Sequence, residues 1–380
     1  MHALGAACRA SLDSADVTSD AYESLEKREP ETSIREINIS GTDDNVVDAY
    51  NFCAEKFVEQ LLTEGSNITC DGTSESFNGN KDLPPYYDEI MFKKGQAFFH
   101  KHIFGLFLSK LLGLLALLSL PSLRILMMTR KSSTPMTAYK RYMGTIFHMC
   151  VWYDSDFQPG SKLWKSIANV RNMHNAASKR SNLCFKTRIT QMDMALTQFG
   201  FMGLGLIRSK MLGIHYATDD EWKGFLHLWR VIGYLVGTED RFNLCRESVQ
   251  ETKEICELLA RKVFIPRMAK TGPDFDLMSS ALIDGMRAMN PVLHQEGFLR
   301  YLHMVLRNNP DPEITDEQLK PLSKIARARL NLILNVTWAL QYTIVRVLLK
   351  YCQIWTLWLM RVCPFLAYSR FGFENSHVRI

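Results

Sequence analysis

The sequence predicts a mainly α-helical protein, and three observations carry that expectation. From residue 83 to the end, apolar residues recur at spacings of three and four, which gathers them on one helix face. Hardly any stretch alternates apolar and polar residues with the period of two that a half-buried strand needs. The chain is also long enough, at 380 residues, and apolar enough, at 47% hydrophobic residues, to bury a large core.

Taken in order, residues 1–45 are rich in Ser, Thr, Asp and Glu and are expected to stay mobile. Residues 1–50 carry 11 Asp and Glu against 4 Lys and Arg, so the remainder of a chain with net charge +5 is strongly basic. Residues 1–30 lack the apolar core of a secretory signal. Residues 46–62 read as a short amphipathic helix with Val47, Tyr50, Phe52, Phe57 and Leu61 near one side. The Ser, Asn, Gly and Thr of residues 65–81 predict a loop or linker.

Residues 103–123 form the most apolar window, with Lys110 its one charge. That length suffices to cross a bilayer, but Lys110 inside it and Pro121 near its end fit a buried helix equally well. Residues 330–368 are hydrophobic too, yet Arg346, Lys350 and Arg361 divide them, which suits amphipathic or membrane-facing helices better than a clean anchor. The resulting division is an acidic region over 1–80, a helical domain over 81–330 and hydrophobic C-terminal helices over 331–380.

Several chemistries are poorly supported. The nine cysteines are scattered with no Cys-x-x-Cys, which argues against a zinc ribbon or redox pair and fits a reducing compartment. His-Glu-x-x-His is absent, and His100 and His102 are two apart, on different helix sides. Gly200-x-x-Gly203-x-Gly205 is neither a dinucleotide fingerprint nor a phosphate loop, and helix packing explains it better. Three matches to the glycosylation sequon, at Asn38, Asn67 and Asn335, are too short to decide anything. No run of Lys and Arg interleaved with aromatics marks a nucleic-acid surface.

His174 stands apart. Leu163, Ile167, Val170 and His174 follow at intervals of 4, 3 and 4, which puts the imidazole on the apolar stripe of a helix. A buried imidazole needs a hydrogen bond or a metal at one nitrogen, and spacing alone favours an ordinary core histidine over a ligand. Arg171 lies nearly one turn earlier on the same side, placed to pair with a carboxylate. A helix over residues 137–148 precedes it, with Arg141, Thr145 and His148 as a polar stripe and Gly144 among them. Glycine there costs about 1 kcal/mol of helix stability relative to alanine, which close packing or a flat ligand would justify. Between Glu221 and Asp240, Trp222, Phe225, Trp229 and Ile232 predict a buried helix from which Arg230 projects toward an acidic neighbour, Asp240 or Glu239, or toward a ligand carboxylate.

Blocks in this order resemble the haem domain shared by latex-clearing proteins (rubber oxygenases) and fungal MpaB-type oxygenases bound to the endoplasmic reticulum. They are Asp88-Glu-x(5)-Gly95-Gln96-x-Phe98-Phe99, Arg141-x-x-x-Thr145 and Leu163-Trp-x-x-Ile-x-x-Val-Arg171-x-x-His174, then Thr197-Gln198-x-x-Phe201 and Glu221-Trp222-x(6)-Trp229-Arg230-x-x-Gly233-Tyr234-x-x-Gly237-x-x-Asp240. The resemblance spans residues 83–330. It implies a globin-like helical bundle holding one b-type haem, with His174 as the proximal iron ligand and Arg171, Arg141, Gly144, Thr145 and Arg230 around it. No Cys-x-x-Cys-His is present for covalent haem attachment. The activity implied is oxidative cleavage of a C=C bond in a prenyl or other unsaturated, lipid-like substrate with O₂. Thr145, and from helical spacing His148, are expected as donors on the oxygen side.

The chain departs from the family pattern at two positions. A distal lysine of some members is Gly144 here, which leaves the sixth iron position without that ligand. A family arginine one turn past the histidine is Ser178, with Arg180 nearby, and no residue matches the proposed carboxylate base. The alternatives are a non-catalytic haem or lipid carrier on the same scaffold and a cofactor-free membrane scaffold. The expected setting is intracellular, at or on the endoplasmic reticulum membrane with the cytoplasm as alternative, and with no nucleic-acid partner.

Overall fold

The computed structural model describes residues 52–70, 82–311 and 321–380. The expected mobile stretch, Val47 and Tyr50 of the first helix, and most of the predicted linker lie outside these residues. The body from Phe52 to Ile380 is all-α, and the one bridge among the described residues joins Thr69 to Thr190.

Helix α1 (Ala54–Thr63) buries Phe57, Val58 and Leu61, starting later than the pattern suggested because Cys53 is already extended. It packs on α7 (Gln191–Gln198) and α10 (Val249–Leu259), inside the main body. Helix α2 (Glu89–Lys101) begins at Asp88, whose side chain accepts from the Met91 amide. It lies along α9 (Asp219–Val236), which starts at a Thr218/Glu221 capping box and stops at Gly237 with φ +114°. The two helices approach so closely that a Cβ on Gly95 would sit 2.5 Å from the Gly224 carbonyl oxygen.

At His102 the chain bends by 91° into α3 (Ile103–Leu117), nine of whose residues are buried. The apolar window therefore does not continue as one helix. It turns through Leu118 to Ser122 and restarts as α4 (Leu123–Met128), Pro121 having no amide to carry the ladder on. α3 crosses the π-helical turn Phe199–Gly203 that joins α7 to α8 (Leu204–Ile207), with Gly113 and Gly200 in backbone contact. The glycine-rich run is thus a packing surface.

Helix α5 (Pro135–Asp154) opens with Pro135 inside a Thr134/Thr137 capping box, and α6 (Lys162–Phe185) opens on a Ser161 cap and ends at Lys186 with φ +55°. Helices α11 (Ile265–Met268), α12 (Pro273–Met286) and α13 (Gln295–Arg307) close the core, α12 lying along α5. Helix α14 (Lys324–Ala339) packs on α13, and α15 (Thr343–Val362) lies across α3 after a 118° bend. Helices α16 (Phe365–Phe371) and α17 (Phe373–Ser376) return onto α5, where Tyr139 Oη donates to the Ser376 carbonyl at 2.7 Å. Among the described residues no single helix is long and apolar enough to cross a membrane.

Candidate functional site

The short connection between α5 and α6 makes them antiparallel neighbours. His148 Nδ1 and Ser166 Oγ share a hydrogen at 2.7 Å, and Trp152 Nε1 donates to the same oxygen at 2.8 Å. From that anchor the helices run apart in sequence, which brings Arg141, two turns before His148, opposite His174, two turns after Ser166.

His174 is partly buried, but its Nδ1 is closed off from solvent and has no hydrogen-bond partner among the described residues. Burial, reinforced by the neighbouring Arg141 charge, pushes its pKa down to about 4, so the ring is neutral at physiological pH. A neutral imidazole with an unused nitrogen is the form that binds a metal. Burial also pulls Arg141 below its ordinary value, and its Nη1 reaches Thr129 Oγ1 at 3.5 Å. Arg171, on the same helix as His174, donates from Nη1 to the Leu235 carbonyl at 3.3 Å and so ties α6 to α9. Thr145 turns its hydroxyl back to the Arg141 carbonyl at 3.2 Å. A Cβ on Gly144 would meet only Val378 Cγ1, at 3.9 Å, so space is open beside it.

Two expected site residues are placed elsewhere. His148 is buried in the Ser166–Trp152 cluster, where it joins α5 to α6. Arg230 makes a bidentate pair with Asp240 at 3.1 and 2.9 Å, reaches Glu247 at 3.2 Å and lies 3.9 Å over the Tyr86 ring. Its guanidinium is engaged by protein on both edges and one face. Ser178 accepts from the Ile189 amide at 3.1 Å and closes the turn after α6.

An apolar cavity of ≈ 100 Å³ lies between α3, α5 and α12. Leu111, Leu114, Ile146, Met149, Leu282 and Met286 line it, with Lys110, Thr145, Asn290 and Gln353 among its polar members. Thr145 lines this cavity, and Arg141, one turn earlier on nearly the same side of α5, stands near His174. The cavity does not include His174 and is smaller than the about 300–1,000 Å³ of ordinary ligand pockets.

Lys110, noted in sequence only as a break in an apolar window, also borders the cavity. Its buried Nζ has no hydrogen-bond partner among the described residues and lies 5.1 to 5.9 Å from the ring centres of Phe99, Tyr153, Phe225 and Trp229. Burial brings its pKa down to about 7. The rings that enclose it come from α2, α5 and α9, so no local spacing announces the cluster.

The donor set around His174 is of a kind that fits a haem: a neutral imidazole with an enclosed, unpartnered nitrogen, two arginines for carboxylates, and open space at Gly144. Among the described residues no group of three or more His, Cys, Asp or Glu is arranged for a bare metal ion. The class defined by fold and site is thus an all-α protein with one poised imidazole between two antiparallel helices. No family model and no curated protein matches the chain. Among solved structures, latex clearing protein LCP in its closed state is similar with a TM-score of 0.46 and 13% sequence identity, over 80% of this chain and 89% of that one.

Proposed function

We propose that the chain is a haem b protein whose iron His174 would hold, and that it uses O₂ to cleave a C=C bond in a hydrophobic, unsaturated substrate. The observation that carries this reading is the enclosed His174 imidazole, whose Nδ1 has no protein partner. A buried polar nitrogen left in that state costs about 1–3 kcal/mol, which a ligand would offset. The ordered sequence blocks around Arg141, Thr145 and His174 support the same reading.

When bound, haem supplies the oxygen chemistry. The protein's part is to hold the group and present the substrate. Arg141 and Arg171 offer guanidinium groups to the two carboxylates, though Arg171 must then share donors with Leu235. Thr145 holds a hydroxyl proton at Oγ1 on the boundary between the imidazole side and the apolar cavity, where a prenyl-like chain would lie free of water. Gly144 offers no ligand of its own and leaves space beside this stretch of α5.

The test is an absorption spectrum of the purified chain, oxidised and reduced, for wild type and His174→Ala. The expected result is a strong Soret band in wild type that falls with loss of haem in the variant. Oxygen uptake with a polyunsaturated or prenylated substrate is expected in wild type only. A colourless wild-type protein, or full haem content in His174→Ala, would sink the ligand assignment. The cavity itself favours a second reading, a carrier of apolar ligands, for which the expected result is haem or lipid binding without oxygen uptake.

A further inference from the structure

The C-terminal helices turn an apolar face outward. On α15, Ile344, Leu348, Tyr351, Trp355, Trp358 and Val362 are exposed, Ile344 by 84% and Trp355 by 61%. Their spacings of four, three, four, three and four keep them in a stripe about 80° wide. Gln353, Leu357 and Met360 occupy the opposite side, toward the body. Trp338 and Tyr342, where α14 meets α15, extend the exposed face. A helix with its apolar stripe in water has its amphipathicity reversed, and so large a patch marks an interaction surface.

We propose that this face docks on a bilayer surface rich in anionic lipid headgroups, with α15 lying in the interface. Charge selects that occupant. Residues 321–380 carry eight Lys and Arg and one acidic residue, Glu374. Arg346 and Lys350 turn toward the body beside His102 and Arg361 lies over the Phe147 ring, while Lys324, Arg327, Arg370 and Arg379 are exposed elsewhere in this region, where they meet headgroups as the stripe enters the acyl boundary. Exposed Trp and Tyr suit the same depth, with an apolar ring and a polar edge. Neither α14 nor α15 is by itself both long and apolar enough to span, and a 118° bend separates them, so the geometry is one of lying on the membrane.

The proposal rests on exposure and charge and stands independently of His174. It has a structural consequence, because Gln353 lines the apolar cavity from the inward side of α15. Docking brings that cavity within about one helix diameter, 10 Å, of the acyl chains, from which an apolar molecule enters without crossing water.

The test is flotation of the full chain with phosphatidylcholine vesicles, with and without about one third phosphatidylserine. The expected result is flotation with the anionic vesicles, release by added salt and quenching of tryptophan fluorescence by brominated acyl chains. The Trp355→Ser/Trp358→Ser double variant should keep wild-type helicity and melting temperature and bind at least about tenfold more weakly. Absence of flotation with either vesicle overturns the proposal, as does a double variant that floats like wild type. A wild-type dimer that the double variant disperses, without vesicle binding, also overturns it by making the face a contact between copies.

Discussion

Helices α3 and α15 draw on the same apolar side chains and meet opposite surroundings. Nine of the 15 residues of α3 are buried, but only Leu357 and Met360 of the 20 in α15. The difference lies in the small residues. α3 carries Gly105, Ser109 and Gly113 four apart, a groove into which the backbones near Leu212 and Gly200 settle. α15 has no Gly or Ala from Thr343 to Val362, and on its body side it carries Arg346, Lys350 and Arg361. Apolar content therefore sets how much surface wants cover, while shape and charge decide what covers it.

The largest effect that breaks this contrast should come from Gly113→Val. The added methyls run into the Gly200 backbone, which has no flexible end to give way. We expect a loss of about 3 kcal/mol or more, read from urea unfolding midpoints.

Acid should strike the entrance to α3 next. His102 is buried with neither ring nitrogen partnered among the described residues, and burial pushes its pKa from 6.5 down to about 4. Between those values the unfolded chain binds a proton that the folded one refuses, so stability falls as pH drops from 6.5 to 4, by about 3 kcal/mol at most. His174, shifted down in the same way, adds to this loss. His102→Phe should flatten its share of the pH dependence of the urea midpoint.

Lys110→Met sharpens the comparison from inside α3. It removes an enclosed amine whose pKa stands near 7 instead of 10.5. The wild-type unfolded chain binds the extra proton between those values, so wild-type stability rises from pH 7 toward pH 10.5. The variant should gain about 2 kcal/mol at pH 7 and progressively less toward pH 10, measured by urea titration at each pH. The smallest effect belongs to α15, where Trp355→Ser should change stability in solution by no more than about 0.5 kcal/mol.

Where periodicity and caps govern, the residues announced the structure. The α5 and α6 helices were legible from their spacing, including the inward position of His174, whereas for Arg230 the sequence left Asp240, Glu239 and a ligand carboxylate open and the fold chose Asp240. The window over residues 103–123 was legible as apolar and as interrupted at Pro121, but not as buried, because a bilayer span and a buried helix share one composition. His148 looked available on its own helix, and only Ser166 from the next helix shows what holds it. The rings around Lys110 lie up to 130 residues apart in sequence, so a single charge in an apolar run was all that showed.

By itself, the order of residues determined the helical class and the stripe that bears His174. Those features depend on groups within a few residues of one another, where backbone geometry and local hydrogen bonds act. Tertiary structure alone decided which apolar helix is covered, that His174 Nδ1 lacks a partner, and that the Lys110 amine is enclosed. Each of those outcomes depends on what distant segments bring to the same point, and burial, the force that sets them, has no sequence distance.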